Sequence, residues 1–231
     1  MVYVTSDLHG YPLNKFRTLL EKAGFSQNDF LYVLGDVIDR GTDGIVILRR
    51  LMAQPNAQLI LGNHEAMMLA CSFLFDEITE ESIASLTDEK LGSYSTWVLN
   101  GGEPTLKALR KLGKEEIEYI LEYLQDAPLY ETVSAGGRDF LLTHSGLGSF
   151  EKGKKLSEYS AHDLLWNRPE PDTEYYRGIT TVFGHTPTLL FGDEYAGKAI
   201  FTETWINIDT GAACGRNPML LRLDDLKEFY V

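Results

Sequence analysis

Four histidines of this sequence stand beside Gly, Asp, Asn or Ser at the end of an apolar run, which is where metal and phosphate chemistry needs them. Asp7-Leu8-His9 places a carboxylate and an imidazole two residues apart, and positions i and i+2 at a strand end share one side. That donor pair suits Mn, Fe or Zn better than Ca. In Gly35-Asp36-Val37-Ile38-Asp39-Arg40-Gly41, the two oxygens of Asp36 can bridge two cations. Asp39 can orient a histidine, and Arg40 offers a planar fork to phosphate oxygens. A plain surface Asp–Arg pair is the alternative. In Gly62-Asn63-His64-Glu65, Asn63 is a neutral oxygen donor and His64 a general acid for a leaving oxygen. Glu65 is either a supporting partner or a helix N-terminal charge. Thr143-His144-Ser145-Gly146 and Gly184-His185-Thr186-Pro187 supply two further imidazoles. The fifth histidine, His162, reads as a surface residue at a helix start.

These clusters need elements that present them together. Val2–Thr5, Phe30–Leu34 and 57–61 are apolar runs of strand length, separated by helical spacing at Leu13–Ala23 and at Ile45–Met52. The β-α-β-α-β order predicts parallel strands buried on both faces. The first three clusters follow these strands directly, at the carboxyl edge where open α/β sheets bind ligands. Residues 66–127 read as helical, with a polar, acidic stretch over 76–90. Beyond them, Gly136-Gly137 marks a hairpin, and apolar runs at 179–183, 199–201, 205–208 and 219–223 predict a second, mixed sheet.

The chain has 231 residues, 44% of them hydrophobic and 24% charged, enough for one large globular domain without disulfide staples. It reads as a single domain over 1–231 with a helical insertion at about 76–127. Cys71 and Cys214 form no CxxC pair and read as ordinary reduced thiols. No apolar run is long enough for a membrane span, and MVYVTSDLHG lacks the basic, apolar pattern of a secretory leader, so a cytoplasmic location is expected. A formal net charge of −13 repels phosphate backbones and argues against a nucleic-acid partner. An acidic protein that handles phosphate needs local positive charge, which metal ions can supply.

In their order, DxH, GDVIDRG, GNHE, HSG and GHTP resemble the calcineurin-like metallophosphoesterases, over roughly residues 2–212. GDVIDRG with GNHE resembles the phosphoprotein phosphatase branch, as do Leu164–Arg168 and Trp97 with Asn100-Gly101-Gly102. The compact bacterial and lambda-phage serine/threonine phosphatases are the nearest likeness. The resemblance implies an α/β fold of two packed mixed sheets flanked by helices, and a metal-dependent phosphomonoesterase acting on phosphorylated proteins. It implies two divalent or trivalent ions, Mn, Fe or Zn. Asp7 and His9 would hold one ion, Asn63, His144 and His185 the other, and Asp36 both. Arg40 and Arg168, with Asn63, would bind the substrate phosphate. Asp39 would orient His64, and a hydroxide shared by the metals would attack phosphorus in line, leaving the cysteines no role. The symmetrical dinucleoside tetraphosphate hydrolases share the pattern but usually lack an aspartate at position 39. Hydrolysis of a dinucleoside polyphosphate or a small phosphometabolite is therefore the alternative. Asp209, in Asn207–Ala212, reads as a residue that fixes a loop. Apart from Trp97 and Asn100, residues 76–100 match no part of the pattern and are expected to shape access.

Overall fold

The computed structural model describes residues 1–231. Its first part runs β1 (Val2–Thr5), α1 (Leu13–Ala23), β2 (Phe30–Leu34), α2 (Gly44–Met52) and β3 (Ala57–Ile60). A helical stretch follows: α3 (Asn63–Ala70), α4 (Glu80–Ala84), α5 (Asp88–Leu99), α6 (Glu103–Leu109) and α7 (Lys114–Gln125). The last part comprises β4 (Tyr130–Ala135), β5 (Arg138–Thr143), α8 (Ala161–Leu165), β6 (Thr180–Phe183), β7 (Ile200–Phe201), β8 (Trp205–Asn207), β9 (Met219–Arg222) and β10 (Lys227–Tyr230).

The strands form two five-stranded sheets, in the orders β10-β9-β1-β2-β3 and β4-β5-β6-β8-β7. β1, β2 and β3 are parallel, as are β5, β6 and β8. Antiparallel strands β10, β4 and β7 close three of the four edges, and parallel β3 forms the fourth. The fold is the expected α/β arrangement of two mixed sheets flanked by helices, with one correction. Residues 219–223 were expected in the second sheet, yet β9 pairs antiparallel with β1, Val4 opposite Leu221, and brings β10 with it. An apolar run reports burial and leaves the partner strand open; the partner is set by long-range packing. The β10 strand, mostly exposed and charged, carried no apolar signal.

The alternation of side chains divides the core. Tyr3, Leu31, Val33 and Leu59 face the helices, packing with Phe16 and Leu19 of α1, Leu48 of α2 and Ile120 of α7. Val4, Leu34 and Ile60 face the other way, meeting Phe140, Leu142, Val182 and Ile206 of the second sheet. Met219, Leu221 and Leu223 complete this inner layer. The sheets therefore pack face to face, and the carboxyl ends of their parallel strands emerge along one side. No helix is long and apolar enough to cross a membrane.

Candidate active site

Each of the five sequence clusters follows a parallel strand, and backbone hydrogen bonds bind their loops together. The Asp7 N–H donates to Gly35 O (3.2 Å), the His9 N–H to Asp36 O (2.8 Å) and the Gly184 N–H to His144 O (2.8 Å). Six site residues have left-handed backbone: Asp7, His9, Asp36, Asp39, Arg40 and His185, with φ between 42° and 70°. Such φ values are uncommon outside glycine, with Asp and His among the more tolerant types. They bend the loops sharply, so that neighbouring side chains converge. This revises one expectation. β1 ends at Thr5, and Asp7 and His9 reach the site from a turn beyond the strand rather than from alternate positions along it.

The structure brings Asp7, His9, Asp36, Asn63, His64, His144 and His185 together, each less than a tenth exposed. Asp36 is the common member of two tight groups, one with His9 and His64 and one with His144 and His185. Its Oδ2 lies 3.5 Å from His9 Nε2 and its Oδ1 lies 3.5 Å from His144 Nε2. The nearer Asp7 oxygen is 3.9 Å from His9 Nε2. The other accepts the His185 N–H at 2.9 Å and bonds to the Ser6 hydroxyl.

The donor chemistry fits bound cations. His144 Nδ1 lies 2.7 Å from Leu34 O. A carbonyl only accepts, so a ring proton sits on Nδ1 and Nε2 is the atom turned toward the cluster. That nitrogen lies 2.8 Å from Asn63 Oδ1 and 3.2 Å from His185 Nδ1. His185 Nδ1 is itself 3.0 Å from the same Asn63 oxygen. Three atoms of metal-ligating type thus converge within hydrogen-bond distance of one another, an arrangement that fits a bound cation. His9 repeats the pattern, with Nδ1 against Ile38 O at 3.3 Å and Nε2 toward the carboxylates. Burial lowers His9 and His185 to about 3, so both rings are neutral and able to ligate. Burial pushes the Asp7 carboxyl up. The same burial acts on Asp36, but the surrounding histidines, His144 first, outweigh it and hold that carboxyl below its ordinary value.

His64 is differently tied. Its Nδ1 is 2.7 Å from Asp39 Oδ2, and the same oxygen accepts the Trp97 Nε1–H at 2.9 Å. The Asp39 N–H donates to Thr105 Oγ1. Asp39 and Trp97 are fully buried. The His64 Nε2 is turned toward the cavity, 3.2 Å from Arg40 Nη2 and 3.8 Å from Asp36. Burial disfavours the charged ring, but Asp36 and then Asp39 more than compensate, so His64 lies above its ordinary value.

Arg40 and Arg168 both line a cavity of about 240 Å³ over the cluster, with Asn63 and His64 at its floor. The Arg40 Nε–H donates to Asn100 O at 3.4 Å, and the Arg168 Nη1–H to His185 O at 3.4 Å. Trp166, Pro187 and Leu190 form an apolar part of the rim. His162 is exposed at the start of α8 and stands apart from the site. Cys71 is buried, Cys214 is exposed, and both are free.

Two contributions were open or invisible in the sequence. Glu65 is a loop clasp: one oxygen accepts the N–H groups of Asp36 (2.8 Å) and Gly62 (3.2 Å), the other those of Val37 (2.9 Å) and Ile38 (3.3 Å). Burial and then Asp36 push its carboxyl up to about 7, yet both oxygens face only donors, which favours the ionised form. Asp209 also lines the cavity, and its Oδ1 accepts the Gly211 N–H at 3.0 Å, in keeping with the fixing of that loop. Burial, and then Asp7, push its carboxyl well up.

The chain belongs to the calcineurin-like phosphoesterase family, which it matches over residues 1–205, and is accordingly a hydrolase of phosphoester bonds. It is 28% identical over 220 residues to serine/threonine-protein phosphatase 2 of Salmonella typhimurium (strain LT2), spanning 94% of this chain and 89% of that protein. It is 27% identical over 195 residues to the symmetrical bis(5'-nucleosyl)-tetraphosphatase of Acidovorax sp. (strain JS42), spanning 81% of this chain but only 58% of that protein. Among solved structures, a chain proposed to be a diadenosine tetraphosphatase superposes with a TM-score of 0.66 at 17% identity, covering 100% of this chain and 92% of its own. A cold-active protein-tyrosine phosphatase of a psychrophilic Shewanella gives 0.58 at 16% identity, covering 99% and 79%. These last two similarities bear on fold alone.

Proposed function

We propose that this phosphoesterase is a phosphomonoesterase acting on alkyl phosphate esters, with phosphoserine and phosphothreonine in proteins as its substrates. Asp7 and His9 would hold one metal ion, Asn63, His144 and His185 a second, and Asp36 would serve both. Manganese, iron and zinc suit this mixture of carboxylate, amide and imidazole donors. When bound, such ions supply Lewis acidity that activates water and offsets the charge of the phosphoryl group. Arg40 and Arg168, both on the cavity wall, clamp the non-bridging phosphate oxygens, beside the Asn63 amide. His64 delivers a proton from Nε2 to the departing oxygen, while Asp39 on Nδ1 holds the ring in the required tautomer and orientation.

The observation that carries this reading is the buried Asp39–His64 pair, 2.7 Å apart and braced by Trp97. A serine or threonine alkoxide is a poor leaving group and needs a proton as the bond to phosphorus breaks. A nucleoside phosphate leaves readily without one. A braced acid inside the cavity therefore has most to contribute on an alkyl ester. The resemblance to the Salmonella phosphatase over most of both chains supports the same choice. Hydrolysis of dinucleoside polyphosphates is the second reading, supported by the similarity to the Acidovorax enzyme.

The test compares His64→Asn with the wild type on a phosphoserine peptide, p-nitrophenyl phosphate and bis(5'-adenosyl) tetraphosphate. The variant is expected to lose about 100-fold or more in turnover on the peptide. It should lose far less on p-nitrophenyl phosphate, whose leaving group needs no acid, and should keep its metal content. Removing metal with a chelator should abolish activity on both. A wild type that prefers the dinucleotide by orders of magnitude would overturn the proposal in favour of the second reading. Loss of metal from His64→Asn would instead make that ring a ligand.

A further inference from the structure

A second cavity of about 360 Å³ opens beside the first and shares two wall residues with it, His9 and Arg40. Lys15 of α1 stands on one side and Arg216 of the loop after β8 on the other. A hydrogen bond of 2.8 Å from the Tyr11 hydroxyl to Asn217 Oδ1 ties the two sides together. No aspartate or glutamate lines this trough. The lysine and arginine ion pairs of the protein involve Arg49, Lys107, Lys114, Arg177 and Arg222, so Lys15, Arg40 and Arg216 are all unpaired. In a chain with 34 acidic and 21 basic residues, three cations facing one concave space without a carboxylate is a local reversal of sign. Such a site attracts an anion and focuses its approach.

The geometry points to a subsite for a second anionic group of the substrate: an acidic side chain close in sequence to the phosphoserine or phosphothreonine of a protein. The inference rests on the phosphomonoesterase reading and sharpens it. Arg40 stands at the junction, where it belongs to both cavities, so a phosphate in the first and a carboxylate in the second would lie on its two sides. An acidic residue up to three positions along an extended peptide lies within about 10 Å of the phosphorylated one. The trough is open to solvent and its two remaining cations are exposed, as an extended chain passing over a surface requires. Lys15 and Arg216 are thereby specificity residues, outside the machinery that handles the scissile phosphate.

The experiment measures kcat and KM for two phosphoserine peptides that differ only in flanking residues, alanine in one and glutamate in the other, with p-nitrophenyl phosphate as the control. Two exposed ion pairs predict a preference for the acidic peptide of about tenfold in kcat/KM, expressed in KM and weakened by salt. Lys15→Ala combined with Arg216→Ala should abolish that preference and leave p-nitrophenyl phosphate turnover unchanged. Lys15→Glu combined with Arg216→Glu should reverse it. Turnover of the neutral peptide with no acidic preference overturns the subsite and leaves the phosphomonoesterase reading standing. So does a preference that survives in the double alanine variant. Failure of both peptides alongside rapid cleavage of bis(5'-adenosyl) tetraphosphate overturns both.

Discussion

A single methyl group at residue 184 would collide with the site. A Cβ on Gly184 would meet Asp7 Oδ2 and the Ser6 hydroxyl, both at 2.0 Å, and one on Gly62 would meet the Asp36 N and Oδ1 at 2.4 Å. These glycines of GHTP and GNHE are present because another loop passes through the space a side chain would fill. Gly184→Ala should therefore displace the Asp7 carboxylate and cut bound metal by more than half, measured by elemental analysis of protein that still gives a native circular dichroism spectrum. That His9, Asp36, His144 and His185 belong to one cluster was legible, because each stands in a short motif after an apolar run. The clasp formed by Glu65 was not. Its partners Asp36, Val37 and Ile38 lie 27 to 29 residues away, and their N–H groups come within reach only when two loops close on each other.

Helix α5 shows how an element with little amphipathic signal can matter to chemistry. Of its twelve residues only Trp97 is buried, and that ring reaches from α5 to Asp39. The segment, expected from the sequence to shape access, braces the pair assigned to proton delivery, and its exit turn places Gly101 O to accept the Arg40 N–H at 2.8 Å. Trp97→Phe keeps most of the packing and removes one hydrogen bond to a carboxylate. Turnover on a phosphoserine peptide is expected to fall about fivefold, the kinetic equivalent of roughly 1 kcal/mol, with a much smaller fall on p-nitrophenyl phosphate. A purely structural role would lower both alike. Trp97 was noticeable in the sequence beside Asn100-Gly101-Gly102, but its partner 58 residues earlier was not.

Over the whole molecule, the site depends on two sheets holding their carboxyl edges in line. The β9 strand secures that alignment, since it lies against β1 and contributes Leu221 to the layer between the sheets. The Thr5 hydroxyl, two residues before Asp7, donates to Met219 O at 2.7 Å. Leu221→Ala should lower unfolding stability by about 2–5 kcal/mol, read from urea denaturation, because it leaves a void where both sheets meet. The first three parallel strands were legible from sequence because helical spacing separates them and constrains their order. The sheet assignment of β9 was not, because a C-terminal apolar run can add to either sheet with its own pattern unchanged.

The left-handed turns at Asp7, His9, Asp36, Asp39, Arg40 and His185 have an engineering consequence. Glycine fits such backbone at no steric cost, whereas each of these side chains carries a local penalty of about 1 kcal/mol or more. A library screened for heat tolerance alone would therefore be drawn toward glycine at these six positions, gaining robustness by discarding the groups assigned to metal and phosphate. Screens for a hardier form of this enzyme need an activity gate at every round, and their safest targets lie away from the rim where the two sheets present their loops.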